Sequence, residues 1–381
     1  MVLPAGVYRA DHVGSFLRPK TLLAAREKWS HGSLPAEELR KLEDQYISEL
    51  VPREIAAGVR SITDGEFRRA FFHLDFLKHL DGIEVEGLMA AAPNSSEAQK
   101  DASFAPPKLV VTGKIGHSKP VQVDDYNFLV KQTQGQPVTV KVCIPSPTMV
   151  HFRGGRDSIN SEAYPDLDQF FADLEVAYQL ELEDLYNAGA RFVQLDDTNL
   201  AYLCDQDMRK AAEERWGDTS ALTEKYADLI NGAISKRPKD LKIGIHLCRG
   251  NHRSRWYASG GYEPVAEVLF QKLNVDVYFL EYDDARSGDF SPLRFLPEHK
   301  IVVLGLMGSK GPQLDDKDYI KKRLHEAAKF CPKGLDQLCL SHQCGFSSTQ
   351  EGNDLNEEEQ WAKVRLEVEI AKEIWGDDLS K

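Results

Sequence analysis

Eight short apolar segments recur along the chain, and nearly every one runs straight into polar or metal-competent residues. They are residues 7–13, 59–63, 138–144, 192–195, 243–247, 275–280, 301–306 and 338–341. They end, in order, at Gly14-Ser15, Asp64-Gly65-Glu66, Pro145-Ser146-Pro147, Asp196-Asp197, His246 with Cys248, Glu281, Gly308, and His342-Gln343-Cys344-Gly345. Amphipathic helical stretches lie between them. Leu39, Leu42, Tyr46 and Leu50 follow a Pro35 start that suits a helix N-terminus, and Phe170, Leu174, Ala177 and Tyr178 precede Gly189. Trp361, Val364, Val368 and Ala371 follow an acidic first turn at residues 357–359, favourable to the helix dipole. Eight strands alternating with helices predict a (β/α)8 TIM barrel. A doubly wound sheet would carry a glycine-rich phosphate turn after an early strand, and Gly14-Ser15-Phe16-Leu17-Arg18 is not one. In a parallel barrel all strand C-termini open on one face, so the polar endings gather where active sites are built.

The length of 381 residues accommodates such a barrel as a single domain over residues 1–381. One stretch breaks the alternation. Residues from about 70 to 136 are too long for a strand-helix link and predict an insertion after the second strand, a candidate lid. Within it, residues 89–104 read as loop and residues 108–115 as one strand of a hairpin. The net charge of −13 argues against nucleic acid or an anionic membrane as partner, since both need a basic surface. No apolar run reaches membrane-spanning length, no secretory signal opens the chain, and six scattered cysteines make a poor disulfide framework. These features predict a cytoplasmic protein.

His246 and Cys248 stand two apart at a strand end, so both side chains point to the same side. Glu281 ends the next strand and Cys344 follows the last. Alone, a His-x-Cys pair is a weak signal, and a buried cysteine usually acts as a small hydrophobe. A carboxylate and a second thiol at the same barrel mouth change the balance. Imidazole, thiolate and carboxylate are zinc donors, and thiolate disfavours magnesium and calcium. Two thiolates and a carboxylate would leave zinc electron-rich, suited to holding a substrate thiol as a reactive thiolate. Four protein ligands ordinarily make a closed structural site, so catalysis needs one to yield or the shell to expand; Glu281, the hardest donor, is the candidate to leave.

These residues resemble the catalytic domain of cobalamin-independent methionine synthase, in patches from Gly14-Ser15-Phe16 to Gly345. The carriers are His246-x-Cys248, Glu281 in Leu280-Glu281-Tyr282, and Cys344-Gly345, and the chain has room for only one barrel. The resemblance implies that all four are zinc ligands. It implies methyl transfer from a methylfolate-type donor to homocysteine. It also implies an amino-acid pocket: Ser15 for the carboxylate, Glu66 and Asp196 for the amino group. Each has a plainer alternative. Ser15 can cap a helix, Glu66 can pair with Arg68 or Arg69, and Asp196 with Asp197 can cap the next segment. The family's histidine proton donor after strand seven is missing from Leu306-Met307-Gly308-Ser309-Lys310. A folate-stacking tryptophan is not evident near residues 147–152. His342, Asp197 and His12 are the positional candidates for a replacement acid. Two rival readings stay open. One is zinc-thiol alkylation with another electrophile, as in enzymes resembling epoxyalkane:coenzyme M transferase, for which Arg249, Arg253 and Arg255 would supply cations. The other is a binding protein with a structural zinc.

Overall fold

The computed structural model describes residues 3–88 and 107–381. In chain order the strands are β1 (Ser61–Ile62), β2 (Asp81–Leu88), β3 (Pro107–Gly116), β4 (Thr139–Val140), β5 (Val142–Pro145), β6 (Phe192–Asp197), β7 (Lys242–Leu247), β8 (Asn251–His252), β9 (Arg255–Trp256), β10 (Val277–Glu281), β11 (Ile301–Met307) and β12 (Leu338–His342). Six of them form one parallel sheet in the order β5-β6-β7-β10-β11-β12. Parallel neighbours require crossovers, and helices supply them. Leu167–Ala188 joins β5 to β6, Thr219–Ile234 joins β6 to β7, and Lys317–Ala328 joins β11 to β12.

The ring is completed by shorter pairings. β1 pairs with β4 in parallel, and Lys141 N–H donates to the Ile62 carbonyl at 2.8 Å. The first apolar segment meets the last strand at Ala10 and Leu340, where Asp11 N–H donates to the Leu340 carbonyl at 3.0 Å and Leu340 N–H to the Arg9 carbonyl at 2.8 Å. First and second segments meet through turns, with Phe16 N–H on the Gly65 carbonyl and the Thr63 hydroxyl on the Gly14 carbonyl. The eight segments therefore stand as the barrel the sequence predicts. The first of them is an extended stretch bridged at one residue rather than a laddered strand.

Period-two alternation sorts the strand residues. Val7, Phe192, Val277, Phe279, Ile301, Val303 and Cys339 pack together inside the barrel. Their neighbours Val193, Leu195, Ile245, Tyr278, Leu280, Val302, Leu304 and Leu340 face outward onto the helices. Gly244 makes room for this filling, since a Cβ there would lie 3.0 Å from Phe192 and 3.1 Å from Phe279. The helix Leu167–Ala188 shows why the outer layer forms. Phe170, Leu174, Tyr178, Leu182 and Leu185 are buried at helical spacing, Asp166 caps its start, and Gly189, at φ 113°, ends it in the left-handed region.

Within the stretch expected as an insertion, β2 and β3 form an antiparallel hairpin, so residues 108–115 have the partner the sequence anticipated. The loop expected at 89–104 lies outside the described residues. No helix among the described residues is long and apolar enough to cross a membrane.

Candidate metal centre and active site

The inner face of the barrel mouth brings together the four residues singled out as metal ligands. His246 is the penultimate residue of β7 and Cys248 follows the strand, Glu281 ends β10, and Cys344 lies in the loop after β12. One donor atom from each falls within 4.8 Å of all the others, and all four residues are buried. Four donors about 2.0–2.3 Å from a tetrahedral zinc stand about 3–4 Å apart, so this spacing fits the ion with little movement. The sulfurs of Cys248 and Cys344 are 3.5 Å apart, beyond disulfide bonding, and all six cysteines are free.

The donor chemistry fits as well. Among the described residues, neither ring nitrogen of His246 meets a hydrogen-bond partner in good geometry, although Cys344 adjoins the ring, and Glu281 Oε2 has none. Buried polar atoms are normally paired, so one such His246 nitrogen and Glu281 Oε2 converging with two thiols point to a cation. The other Glu281 oxygen, Oε1, accepts from Arg249 N–H at 2.7 Å, which aims Oε2. The Glu281 backbone is clamped by Tyr262, whose hydroxyl accepts from Glu281 N–H at 3.0 Å. Gly250 N–H donates to Cys248 Sγ, and Ser348 lies 3.3 Å from Cys344 Sγ. Burial, then the charge of Cys344, raises Glu281 to about 7. Burial works against charge on His246, yet Cys344, Asp196 and Glu281 hold it up at about 9. The Sγ–Sγ contact and burial push Cys248 up, while the same contact, with His246 adjoining, pulls Cys344 down.

Ser15, Glu66 and Asp196 gather beside this cluster. Asp196 is register partner to His246 on the neighbouring strand. Gln194 Nε2 donates to Asp196 Oδ1 at 2.8 Å and to the Val13 carbonyl at 2.7 Å, tying Asp196 to the turn that carries Ser15. Ser15 Oγ accepts from Ser347 N–H, and a Cβ on Gly345 would lie 1.9 Å from that oxygen, so the Cys344 loop closes directly on Ser15. Glu66 adopts a left-handed backbone, φ 59°, rare for a residue with a side chain and typical of strained functional sites. Its Oε2 is buried and unpartnered. Burial is the main cause raising Glu66 to about 7 and Asp196 to about 6; Arg69 lowers Glu66 while Asp196 raises it, and His246 lowers Asp196.

The three acid candidates point elsewhere. Asp197, one residue beyond Asp196, faces outward and takes the Thr148 hydroxyl and Leu200 N–H, the second at 2.8 Å. His342 lies 2.7 Å from Glu367 on the helix Glu357–Trp375, and burial lowers it to about 3. His12 is hydrogen-bonded to the Ser61 carbonyl and lies 3.5 Å from Glu54. After β11, Ser309 N–H bonds Gln343 and its hydroxyl bonds the Gly345 carbonyl, so that turn braces the Cys344 loop. In the segment after β5, His151 stacks on the partly buried Trp216 with ring centroids 3.9 Å apart, beside Phe171 and Tyr226. Sequence reasoning missed Gln194, Tyr262, Ser348 and the backbone N–H of Arg249, which position the site without being unusual residue types.

Comparison with known proteins agrees with this architecture. The Bacillus subtilis (strain 168) protein YxjH is 42% identical over 373 residues, covering 97% of this chain and 95% of its own length. A Listeria monocytogenes protein, described as a candidate vitamin-B12 independent methionine synthase, is 39% identical in its crystal structure, with a TM-score of 0.77 and 99% of each chain covered. A methionine synthase of Pyrococcus horikoshii is 25% identical, covering 91% of this chain and 86% of its own. Residues 9–373 match the family model for the catalytic domain of cobalamin-independent synthase. The chain belongs to the cobalamin-independent methionine synthase family, a family of methyltransferases.

Proposed function

We propose that the protein is a zinc-dependent S-methyltransferase that methylates the thiol of homocysteine or a close amino-thiol, with a methylfolate-type donor. The observation that carries this reading is the buried quartet of His246, Cys248, Glu281 and Cys344 adjoining a pocket with two carboxylates. A zinc ion bound there would supply a positive centre at which a thiol loses its proton at neutral pH. Glu66 and Asp196 would hold the acceptor's ammonium through charge-assisted hydrogen bonds, with Ser15 adjoining them. Arg249 N–H and Tyr262 would orient Glu281, and the buried walls would exclude water. The same reading takes residues 1–381 as one catalytic domain, with about 70–136 inserted as a lid.

The test is a methylation assay with homocysteine and methylfolate, with zinc-loaded and chelator-treated protein. Methionine formed only by the loaded protein supports the reading, and turnover indifferent to chelation overturns it. A second reading has one observation in its favour. Arg249 is fully buried over the Tyr262 ring, 4.5 Å from its centroid, and none of its three guanidinium nitrogens has a hydrogen-bond partner among the described residues. A cation left so beside the quartet suits an acceptor thiol bearing an extra anion, or another alkyl donor. Faster alkylation of a sulfonate-bearing thiol than of homocysteine would favour that alternative.

A further inference from the structure

The hairpin of β8 and β9 follows Cys248 closely and is held in a shape its sequence does not favour. Its register pairs Asn251 with Trp256 and His252 with Arg255, leaving Arg253-Ser254 as a two-residue turn. Both turn residues are left-handed, at φ 46° and 65°, where Asn-Gly would ordinarily stand. Such a turn persists only where its surroundings over-determine it. Here the hold comes from the loop after β12. Asn251 Nδ2 donates to Ser348 Oγ at 3.3 Å, and Ser254 Oγ accepts from Asp354 N–H at 2.8 Å. β10 and β11 stand between β7 and β12 in the sheet, so the hairpin spans part of the barrel mouth. Asn353 makes the central tie, and it uses every hydrogen-bonding position of its amide. Its Oδ1 accepts from Asn251 Nδ2 at 2.9 Å and from Ser254 N–H at 3.3 Å. Its Nδ2 donates to the Ser309 carbonyl at 3.0 Å and to the Gly345 carbonyl at 3.4 Å. Its backbone N–H donates to the Phe346 carbonyl at 3.1 Å. The residue is buried, and Gly345 and Phe346 are the two residues after Cys344.

We propose that Asn353 is a positioning residue for the candidate metal centre: one buried amide joins the segment after Cys248 to the segment after Cys344 and so sets the spacing of the two thiols. The inference rests on the zinc reading and deepens it. The sulfurs stand 3.5 Å apart, although 96 residues separate them along the chain. With the amide in place, that spacing exists before any ion arrives. Without it the two segments part, and a metal ion would have to draw them together at the expense of its affinity. The geometry asks for asparagine in particular. Aspartate would turn lone pairs toward the Ser309 and Gly345 carbonyls, and leucine would leave all four partner groups unpaired.

The experiment reads zinc affinity and hairpin order side by side. Asn353→Ala is expected to weaken zinc about 10-fold in competition with a chromophoric chelator, the scale of losses when groups behind metal ligands are removed. It is also expected to free the hairpin. Trypsin should then cut after Arg253, which is exposed at the turn, about 10-fold faster than in the wild type, with the fragment ending at Arg253 read by mass spectrometry. Asn353→Asp separates positioning from general support. It keeps both acceptor bonds to the hairpin and loses both donor bonds to the carbonyls. Zinc should therefore weaken as in Asn353→Ala, while cleavage after Arg253 stays at the wild-type rate. This variant stands in for Asn353→Ala should that one fail to fold. Unchanged zinc affinity in either variant overturns the role of Asn353, and so does cleavage that rises together with the zinc loss in Asn353→Asp. Wild-type protein that binds no zinc overturns the metal reading itself.

Discussion

Asp196 and Asp197 are neighbours in sequence and opposites in environment, and the pair shows what one residue's parity decides. Asp196 shares the inner face with Gln194 and the His246 register, while Asp197 turns out to cap Leu200 and take Thr148. Asp196→Asn is therefore expected to raise KM for an amino-thiol about 10-fold or more with the fold intact, by loss of a charge-assisted bond. Asp197→Asn should instead lower thermal stability by about 1–3 kcal/mol, as a buried bonded acceptor loses its charge, with a smaller change in KM. Parallel steady-state kinetics and melting of both variants check this, and interchanged effects would refute the assignment. Glu66 adds a pH signature. Its folded pKa, about 7, lies above the usual carboxylate value of 4.5. The unfolded chain therefore releases the proton first, and stability falls as pH rises from about 4.5 to about 7 and then levels. Glu66→Gln removes that loss and is expected to gain up to about 3 kcal/mol near pH ~8 and little near pH ~5, read by denaturant titration. The quartet of candidate ligands was legible in the sequence because its residue types are unusual at strand ends. The inward and outward senses of Asp196, Asp197 and His342 were also latent there, in the alternation of Phe192, Gln194 and Asp196 and of Cys339 and Ser341. The partner of Glu66 was not: Arg68 and Arg69 are the same type in the same turn, and only packing sends Arg68 to Asp44 and Asp125 and leaves Arg69 beside Glu66.

Elements set these residues by where they stop. β7, β10 and β12 deliver the candidate ligands because each ends within a residue or two of a donor, and the loop after β12 then folds back onto the first turn. That return depends on Gly345, where no Cβ fits beside Ser15. Gly345→Ala is expected to displace the Cys344 loop and weaken metal binding about 10-fold or more, the scale of losses when the shell around metal ligands is disturbed. Competition with a chromophoric chelator measures it, and unchanged affinity would show the loop to be tolerant. Seven of the eight sequence-read segments contain laddered strands, since continuous apolar runs bounded by turn residues leave a buried strand little choice. The first segment, residues 7–13, holds Arg9, Asp11 and His12, all buried and spent on partners across the barrel floor and wall, so it is fixed by side chains and one bridge. The strand β2 escaped notice because Asp81, Glu84 and Glu86 break its apolar pattern, which belongs to an exposed hairpin rather than a core.

At the scale of the whole molecule, the quartet stitches together parts of the barrel that are far apart in sequence. Cys248 and Cys344 are separated by 96 residues, and β7, β10 and the loop after β12 each contribute a donor. A cation shared by them would stabilise the folded chain and not the unfolded one, by an amount set by mass action. At a free metal concentration about 100 times the dissociation constant, that amounts to about 2.7 kcal/mol. For 381 residues the unfolding entropy is about 0.8 kcal/mol/K, taken per residue, so the melting temperature should rise by about 3 °C. Chelation should remove the increment and added zinc should restore it. The apo protein should still fold, because the core inside the barrel and the helical layer outside it do not depend on the ion. Cys248→Ser combined with Cys344→Ser should melt at the same temperature with zinc and with chelator. Differential scanning calorimetry in both conditions decides the matter: a zinc-dependent shift that survives in the double variant would place the ion elsewhere in the molecule, and no shift in the wild type would remove the metal from the account of this fold.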